Sequence, residues 1–278
     1  MSSKIPKIIH YCWFGNNEKN VIVIKCIESW KKYLPDFEII EWNENSITSI
    51  KNQYMKDALK EKKWAFVSDY VRLYALYNYG GIYLDTDEEI LKPLDEFLNL
   101  DLCLGKEEYQ GRKRYAVMSF IAAKKENNII KEFLDEYENI KFYNENGTIN
   151  YLANTERFHE LLINRYNLPK KVNTKNITKL NNNSIIFPSN YFCKYKKEIS
   201  YAFHHYEACS WLPHLKEYCK KNIFKNFYIK VYTIRQKCFK EEIKNITNEL
   251  IIFCYPRYHK NTVVITFGRD KVDVNKNT

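Results

Sequence analysis

Glycine and proline are scarce, seven of each in 278 residues, which excludes collagen-like, linker-like and proline-rich chains. No run of about 18 uncharged apolar residues occurs, so no segment is long enough to span a bilayer as a helix. The eight cysteines, at positions 12, 26, 103, 193, 209, 219, 238 and 254, form no CxxC pair. A chain of this size does not need disulfides, and reduced structural thiols are the expectation. The opening MSSKIPKIIHYCWFG has only a short apolar stretch, broken by His10, and no small-residue cleavage site. That is a poor secretory signal and predicts a cytoplasmic protein.

What is present is 45% hydrophobic and 16% aromatic side chains, enough for a substantial core. The net charge is +10, and more than half of the surplus falls in residues 216–245, where nine Lys or Arg stand against three Glu. Tyr218, Ile223, Phe224, Phe227, Tyr228, Val231 and Ile234 recur there at threes and fours. This predicts a basic amphipathic helix or helix pair that fits an anionic membrane surface at the inner face of the membrane. The plainer alternative packs the apolar stripe on the protein and leaves the lysines solvated. No recognition motif accompanies the charge, so nucleic acid is not expected as a partner.

Along the chain, Ile5 to Phe14 reads as a strand ending at Gly15-Asn16-Asn17, followed by a helix over about 19–34 closed by Pro35, and a second strand over Phe37 to Trp42. Strand, helix, strand is a βαβ unit. A helix over Trp64 to Tyr79 ends at Gly80-Gly81, where glycine takes the positive φ of a C-cap, and Ile82-Tyr83-Leu84 starts a buried strand. Leu102–Gly105 and Ala116–Ala123 read as strands, Asn127–Tyr137 and Glu156–Tyr166 as helices, and Ser184–Pro188 and Tyr201–His205 as late strands. The fold class is α/β, with one main domain over 1–211 and a basic, mostly helical extension over 212–278.

The most informative stretch is SDYVRLYALYNYGGIYLDTD at 68–87. Asp69 and Arg72 lie three apart on the helix and share a face, which suits a pair aimed at a hydroxylated ligand. Beyond the double glycine the buried strand runs into Asp85 and Asp87, whose side chains project the same way because the strand period is two. Two carboxylates side by side repel unless a cation lies between them, and a divalent metal that also meets a diphosphate satisfies both. Such a metal needs further ligands, and His204 or His205 is the natural supplement. Neighbours on a strand face opposite ways, and His205 is the one expected at the metal. Imidazole beside carboxylates favours manganese over calcium. Glu107 and Glu108 lie where an acceptor-side carboxylate could sit, and Gln110 to Arg114 is rich in positive charge.

This stretch resembles the signature of the DXD-motif glycosyltransferases that group bacterial capsular and lipopolysaccharide sugar transferases with the yeast initiating α-1,6-mannosyltransferase; the glucosyltransferase domain of the large clostridial toxins is related. IPKIIHYCWFG at 5–15, CIESWKKYLPDFEIIEWN at 26–43, KKWAFVSDY at 62–70 and HHYEACSW at 204–211 resemble further blocks of the family, and 212–278 resembles none. The resemblance implies a GT-A-type, Rossmann-like nucleotide-sugar-binding domain, a manganese or magnesium ion, and transfer of a hexose with retention. Carried over by residue, Trp13 and Phe14 resemble the aromatic end of the first strand that meets the nucleobase, and stacking on Trp13 favours UDP. Asp69 and Arg72 resemble the pair that holds sugar hydroxyls and diphosphate, Asp85 the residue on ribose, sugar and metal-bound water, and Asp87 the direct metal ligand. Tyr83, Asn154 and Trp211 resemble residues lining the donor site. The implied reaction moves a hexose from a nucleotide diphosphate sugar to a glycan or lipid-linked glycan in capsular polysaccharide or lipopolysaccharide biosynthesis. A toxin-like transferase acting on a protein and a catalytically inactive sugar-nucleotide-binding protein are the alternatives.

Overall fold

The computed structural model describes residues 4–181, 183–206, 251–252, 263–267 and 270–274. The chain divides into two compact units, 1–207 and 208–278. The first unit is α/β, as the sequence pattern predicts. Its strands are β1 (Ile8–Cys12), β2 (Glu38–Trp42), β3 (Gly81–Leu84), β4 (Glu88–Ile90), β5 (Leu102–Gly105), β6 (Glu107–Tyr109), β7 (Arg112–Arg114), β8 (Phe120–Ala123), β9 (Thr178–Lys179), β10 (Ser184–Phe187) and β11 (Ala202–His204). Its helices are α1 (Val21–Tyr33), α2 (Gln53–Lys60), α3 (Trp64–Tyr79), α4 (Asn128–Glu136), α5 (Asn154–Tyr166) and α6 (Ser189–Phe192).

The main sheet runs β2-β1-β3-β8-β5-β10-β9. β1 is parallel to both β2 and β3, and β8 lies antiparallel between β3 and β5. From β1 the chain steps to β2 on one side and then crosses to β3 on the other, so the strand order reverses at β1. The carboxyl ends flanking such a reversal form a crevice where open α/β sheets bind ligands. The chain leaves β1 into Trp13 and leaves β3 into Asp85, which puts both segments at that crevice.

Local chemistry explains the elements that build it. Asn20 and Asn127 cap α1 and α4 by accepting hydrogen bonds from the first-turn amides of Val23 and of Ile129 and Ile130. α3 is buried on most sides, through Phe66, Val67, Tyr70, Val71, Leu73, Ala75 and Leu76, because it lies over the sheet and under other helices. At its end Gly80 has φ +68° and Gly81 φ +108°; a Cβ on either would sit 2.5 Å from the Lys125 amide nitrogen or 2.6 Å from the Ile8 carbonyl oxygen. No other residue allows both the left-handed turn and the approach to β1.

His10 on β1 is fully buried, with Nε2 2.8 Å from the Gly80 carbonyl and Nδ1 accepting from Trp42 Nε1 at 3.2 Å. It is a core histidine, neutral because burial pushes its pKa down to about 4. Cys12, Cys26, Cys103 and Cys193 are free thiols. The strand predicted over Ala116–Ala123 is shorter, Phe120–Ala123, because residues 118 and 119 turn their carbonyls to Arg72 Nη1 at 2.6 Å and to the Asp85 amide at 2.8 Å.

In the second unit the described elements are strands, β12 (Ile251–Ile252), β13 (Val263–Phe267) and β14 (Asp270–Val274), in antiparallel order. The helix expected over 216–245 lies outside the described residues, and these strands fall beyond it. Trp211 also lies outside the described residues. No helix among the described residues is long and apolar enough to cross a membrane.

Candidate active site

Helix period brings Asp69 and Arg72 to one face of α3, and both are buried. Arg72 Nη2 lies 3.0 Å from Asp69 Oδ1, and its Nη1 lies 3.5 Å from Asp85 Oδ1. The rest of the guanidinium is held by the Ser68 carbonyl at 3.1 Å, Ser68 Oγ at 3.2 Å and the Met118 carbonyl. It also stands 4.7 Å from the Tyr83 ring centroid. Burial works against the charge on Arg72, yet Asp85, Tyr83 and Asp69 outweigh it and raise its pKa. For Asp69 burial wins over Arg72 and lifts the carboxyl to about 6. Tyr83 is buried and its hydroxyl donates to Asp85 Oδ1 at 2.8 Å. Arg72 and Tyr83 therefore orient Asp85.

The sequence pattern predicted that Asp85 and Asp87 share a face by strand alternation. The structure corrects the reason: β3 stops at Leu84, and residues 85–87 form a turn closed by the Glu88 amide donating to the Asp85 carbonyl at 2.9 Å. The turn, and not the pleat, gathers the two carboxylates. The third member is His204, whose Nε2 lies 3.3 Å from Asp87 Oδ1. Ligand atoms of Asp85, Asp87 and His204 all lie within 4.8 Å of one another. Two carboxylates and one imidazole suit a divalent cation of the manganese or magnesium kind.

His205 is the histidine expected at the metal, but the structure puts His204 among the candidate ligands. His205 Nε2 bonds Glu89 Oε2 at 2.8 Å, and Glu89 also pairs with Lys25 at 2.8 Å. The physical reason lies in the register of β11 against β4, which sets His204 opposite Glu88 and so beside Asp87. Alternation sets the two histidines on opposite sides, and only the sheet partner decides which one faces the acids. Burial alone would lower the pKa of His204, but the charge on Asp87 outweighs it and lifts the imidazole to about 9.

The remaining candidates divide. Trp13 is half-buried at the end of β1, with Nε1 donating to the Asn17 carbonyl at 2.8 Å and Lys19 Nζ 5.3 Å from its ring. Phe14 turns inward, stacked on Trp64 with centroids 6.4 Å apart. Asn154, at the start of α5, is buried and donates to the Asp69 carbonyl at 3.0 Å, so α5 joins the site. The charged stretch after Gly105 is a hairpin, β6 with β7. Arg112 and Arg114 pair with Glu156 on α5, the latter through Nε at 2.7 Å. Tyr109 stacks on Tyr206 at 3.7 Å, and Tyr206 lies 3.9 Å from His204. Burial raises the pKa of Glu107, whereas Glu108 is held low, first by a hydrogen bond from Thr174. Sequence reasoning missed Glu88, fully buried beside the DxD, and Ser119. The available signal was the unbroken run Asp87-Glu88-Glu89 entering a strand.

Residues 21–103 match the family model described as the glycosyltransferase sugar-binding region containing DXD motif. Inositol phosphoceramide mannosyltransferase 3 of Schizosaccharomyces pombe is 33% identical over 105 residues, covering 35% of this chain and 28% of its own. Mannosyl phosphorylinositol ceramide synthase CSH1 of Saccharomyces cerevisiae is 34% identical over 109 residues, 37% of this chain and 28% of its own. The matched segment thus spans less than a third of the curated relatives. Among solved structures, the PaToxG glycosyltransferase aligns with a TM-score of 0.47 at 22% identity over 59% of this chain and 70% of its own. A glycosyltransferase involved in the glycosylation of the major capsid of PBCV-1 aligns with 0.40 at 11% identity over 72% and 93%. The stretch from α1 through α3 to the DxD and into β5 is therefore similar to the DXD-containing sugar-binding region of glycosyltransferases.

Proposed function

We propose that this chain is a metal-dependent, retaining hexosyltransferase that uses a nucleotide diphosphate sugar, with UDP as the favoured base. The observation that carries this reading is the meeting of Asp85, Asp87 and His204 within 4.8 Å at the carboxyl end of β3, next to a buried Arg72. A bound manganese or magnesium ion held by these three would neutralise the charge that builds on the leaving diphosphate. Asp69 accepts sugar hydroxyls. Arg72 has its N–H groups engaged by protein oxygens, so it acts on the donor by fixing Asp69 and Asp85 rather than by meeting phosphate itself. Asp85, oriented by Tyr83, meets ribose and sugar, and the Trp13 ring offers a face to the base. Retention follows if the acceptor hydroxyl attacks the anomeric carbon from the leaving-group side: its C–O bond forms as the C–O bond to phosphate breaks, and the hydroxyl proton passes to the departing phosphate oxygen.

The acceptor in this reading is a glycan or lipid-linked glycan of the capsular or lipopolysaccharide kind. The basic segment 216–245 would hold the enzyme to the inner face of an anionic membrane. A lipid-linked acceptor gains support from two relatives whose names specify inositol phosphoceramide or its mannosylated form. The test is thermal stabilisation and donor hydrolysis across UDP- and GDP-linked hexoses, mannosyl donors included, with and without Mn²⁺, on wild type and Asp87→Ala. A manganese-dependent shift with slow sugar release from one donor, both lost in Asp87→Ala, supports the proposal. Stabilisation without sugar release points to the inactive binding protein, labelling of a protein band by donor sugar to the toxin-like alternative, and no shift with any donor sinks the donor-site reading.

A further inference from the structure

Four buried polar atoms without a hydrogen-bond partner lie around the candidate metal site: both carboxylate oxygens of Glu88, Oγ of Ser119 and Nδ1 of His204. Glu88 is 0% exposed. A buried carboxyl group left unpaired is costly in general, and a hydrogen-bond donor turned to Glu88 would relieve that cost. The register of β4 and β11 sets Glu88 directly opposite His204. Residues facing each other across an antiparallel pair place their side chains on one side of the sheet, Cβ atoms about 5 Å apart. The other nitrogen of that imidazole, Nε2, is the one turned to Asp87, at 3.3 Å. The backbone around the pair is firmly held: Trp30 Nε1 donates to the Glu88 carbonyl at 2.7 Å, and the Asp85 amide donates to the Ser119 carbonyl.

We propose that Glu88 is a positioning residue for the metal site, the carboxylate that accepts the Nδ1 proton of His204 while Nε2 faces the cation. An imidazole that binds a cation through one nitrogen needs its proton on the other, and a carboxylate there fixes both the tautomer and the ring plane. Two features suit Glu88 to the role: a position on the same side of the β4–β11 pair as His204, and exclusion from solvent so that water does not compete. Ser119 Oγ is placed to hold the second carboxylate oxygen. The inference rests on the metal-site reading above and adds to it a residue outside the DxD.

The experiment is a calorimetric titration with Mn²⁺, alone and with UDP, on wild type, Glu88→Leu, Glu88→Gln, Asp87→Ala and His204→Ala. Glu88→Leu is expected to weaken Mn²⁺ about 10–100-fold. Glu88→Gln recovers part of that loss, because its amide oxygen still accepts the Nδ1 proton. In a His204→Ala background neither substitution at 88 has a further effect. Unchanged affinity in Glu88→Leu, or an equal further loss without His204, overturns the proposal. Should Glu88→Leu not fold, nitrogen NMR of the imidazoles in wild type with Mg²⁺ and UDP decides: a protonated Nδ1 on His204 supports the role, and a bare Nδ1 overturns it. Loss of Mn²⁺ binding in Asp87→Ala with normal Glu88 variants removes this inference and leaves the metal site standing. Equal binding in wild type and Asp87→Ala removes both.

Discussion

Asp69 and Asp87 are equally buried, each 8% exposed, yet they are answered by different parts of the chain. Asp69 meets Arg72, three residues on along the same helix. Asp87 meets His204, which arrives on β11 from the far end of the first unit. The first pair is set by helix period and forms wherever α3 forms. The second exists only once β4 and β11 are in register. The two halves of one site thus depend on structure at different ranges, and perturbations should separate them.

The largest break is expected from Arg72→Met. It leaves Asp69 buried with only the weaker influence of Arg157 opposite it and frees Asp85, a loss of about 3–5 kcal/mol by the usual cost of breaking a buried pair. Urea unfolding measures it, and a cost near zero would show that the pair does not hold α3 to the strand.

A buried histidine with no acid beside it provides the next contrast. His10 has its pKa lowered to about 4 by burial, against 6.5 as the ordinary value. The native state stays neutral while the unfolded chain takes up a proton, so stability is full above pH 6.5 and falls as the pH drops toward 4. At 1.36 kcal/mol per unit over about 2.5 units, the loss is roughly 3 kcal/mol. Unfolding curves at pH 7 and pH 4.5 for wild type and His10→Gln check it: the variant should lose that part of the slope.

Smaller effects distinguish the two neighbouring histidines. His204→Ala removes the proposed third ligand and should weaken Mn²⁺ at least as much as loss of an outer-shell partner, about 10–100-fold, with the Asp69–Arg72 pair intact. His205→Ala should leave Mn²⁺ affinity unchanged and cost less than about 1 kcal/mol, since Glu89 keeps Lys25. Calorimetry on both variants sharpens the assignment, and a reversed order would return the role to His205.

Much of the fold was legible. The helix over Trp64–Tyr79 and its glycine stop are where the sequence pattern puts them, and the βαβ start differs only at its ends. These elements rest on hydrophobic period, capping side chains and positive φ, all of which act within a few residues. The hairpin at 107–114 leaves no mark in the sequence because its short, charged strands carry no apolar alternation. Residues 116–119 carry a strand-like apolar pattern, but Arg72 and Asp85 claim the carbonyls of Met118 and Ser119. A demand from a distant side chain leaves no local trace.

The chemistry divides along the same line. By itself the sequence determined the Asp69–Arg72 pair, the delivery of Asp85 and Asp87 at the end of a buried strand, and the need for a further ligand, because helix period, turn chemistry and like-charge repulsion are local. Only the tertiary structure decided that His204 and not His205 lies beside the two aspartates, that a turn gathers those aspartates, and that Glu88 stands opposite His204. The physical reason is register: a shift of one residue between β4 and β11 would exchange the faces of every side chain on β11, and that register is set by packing across the whole domain.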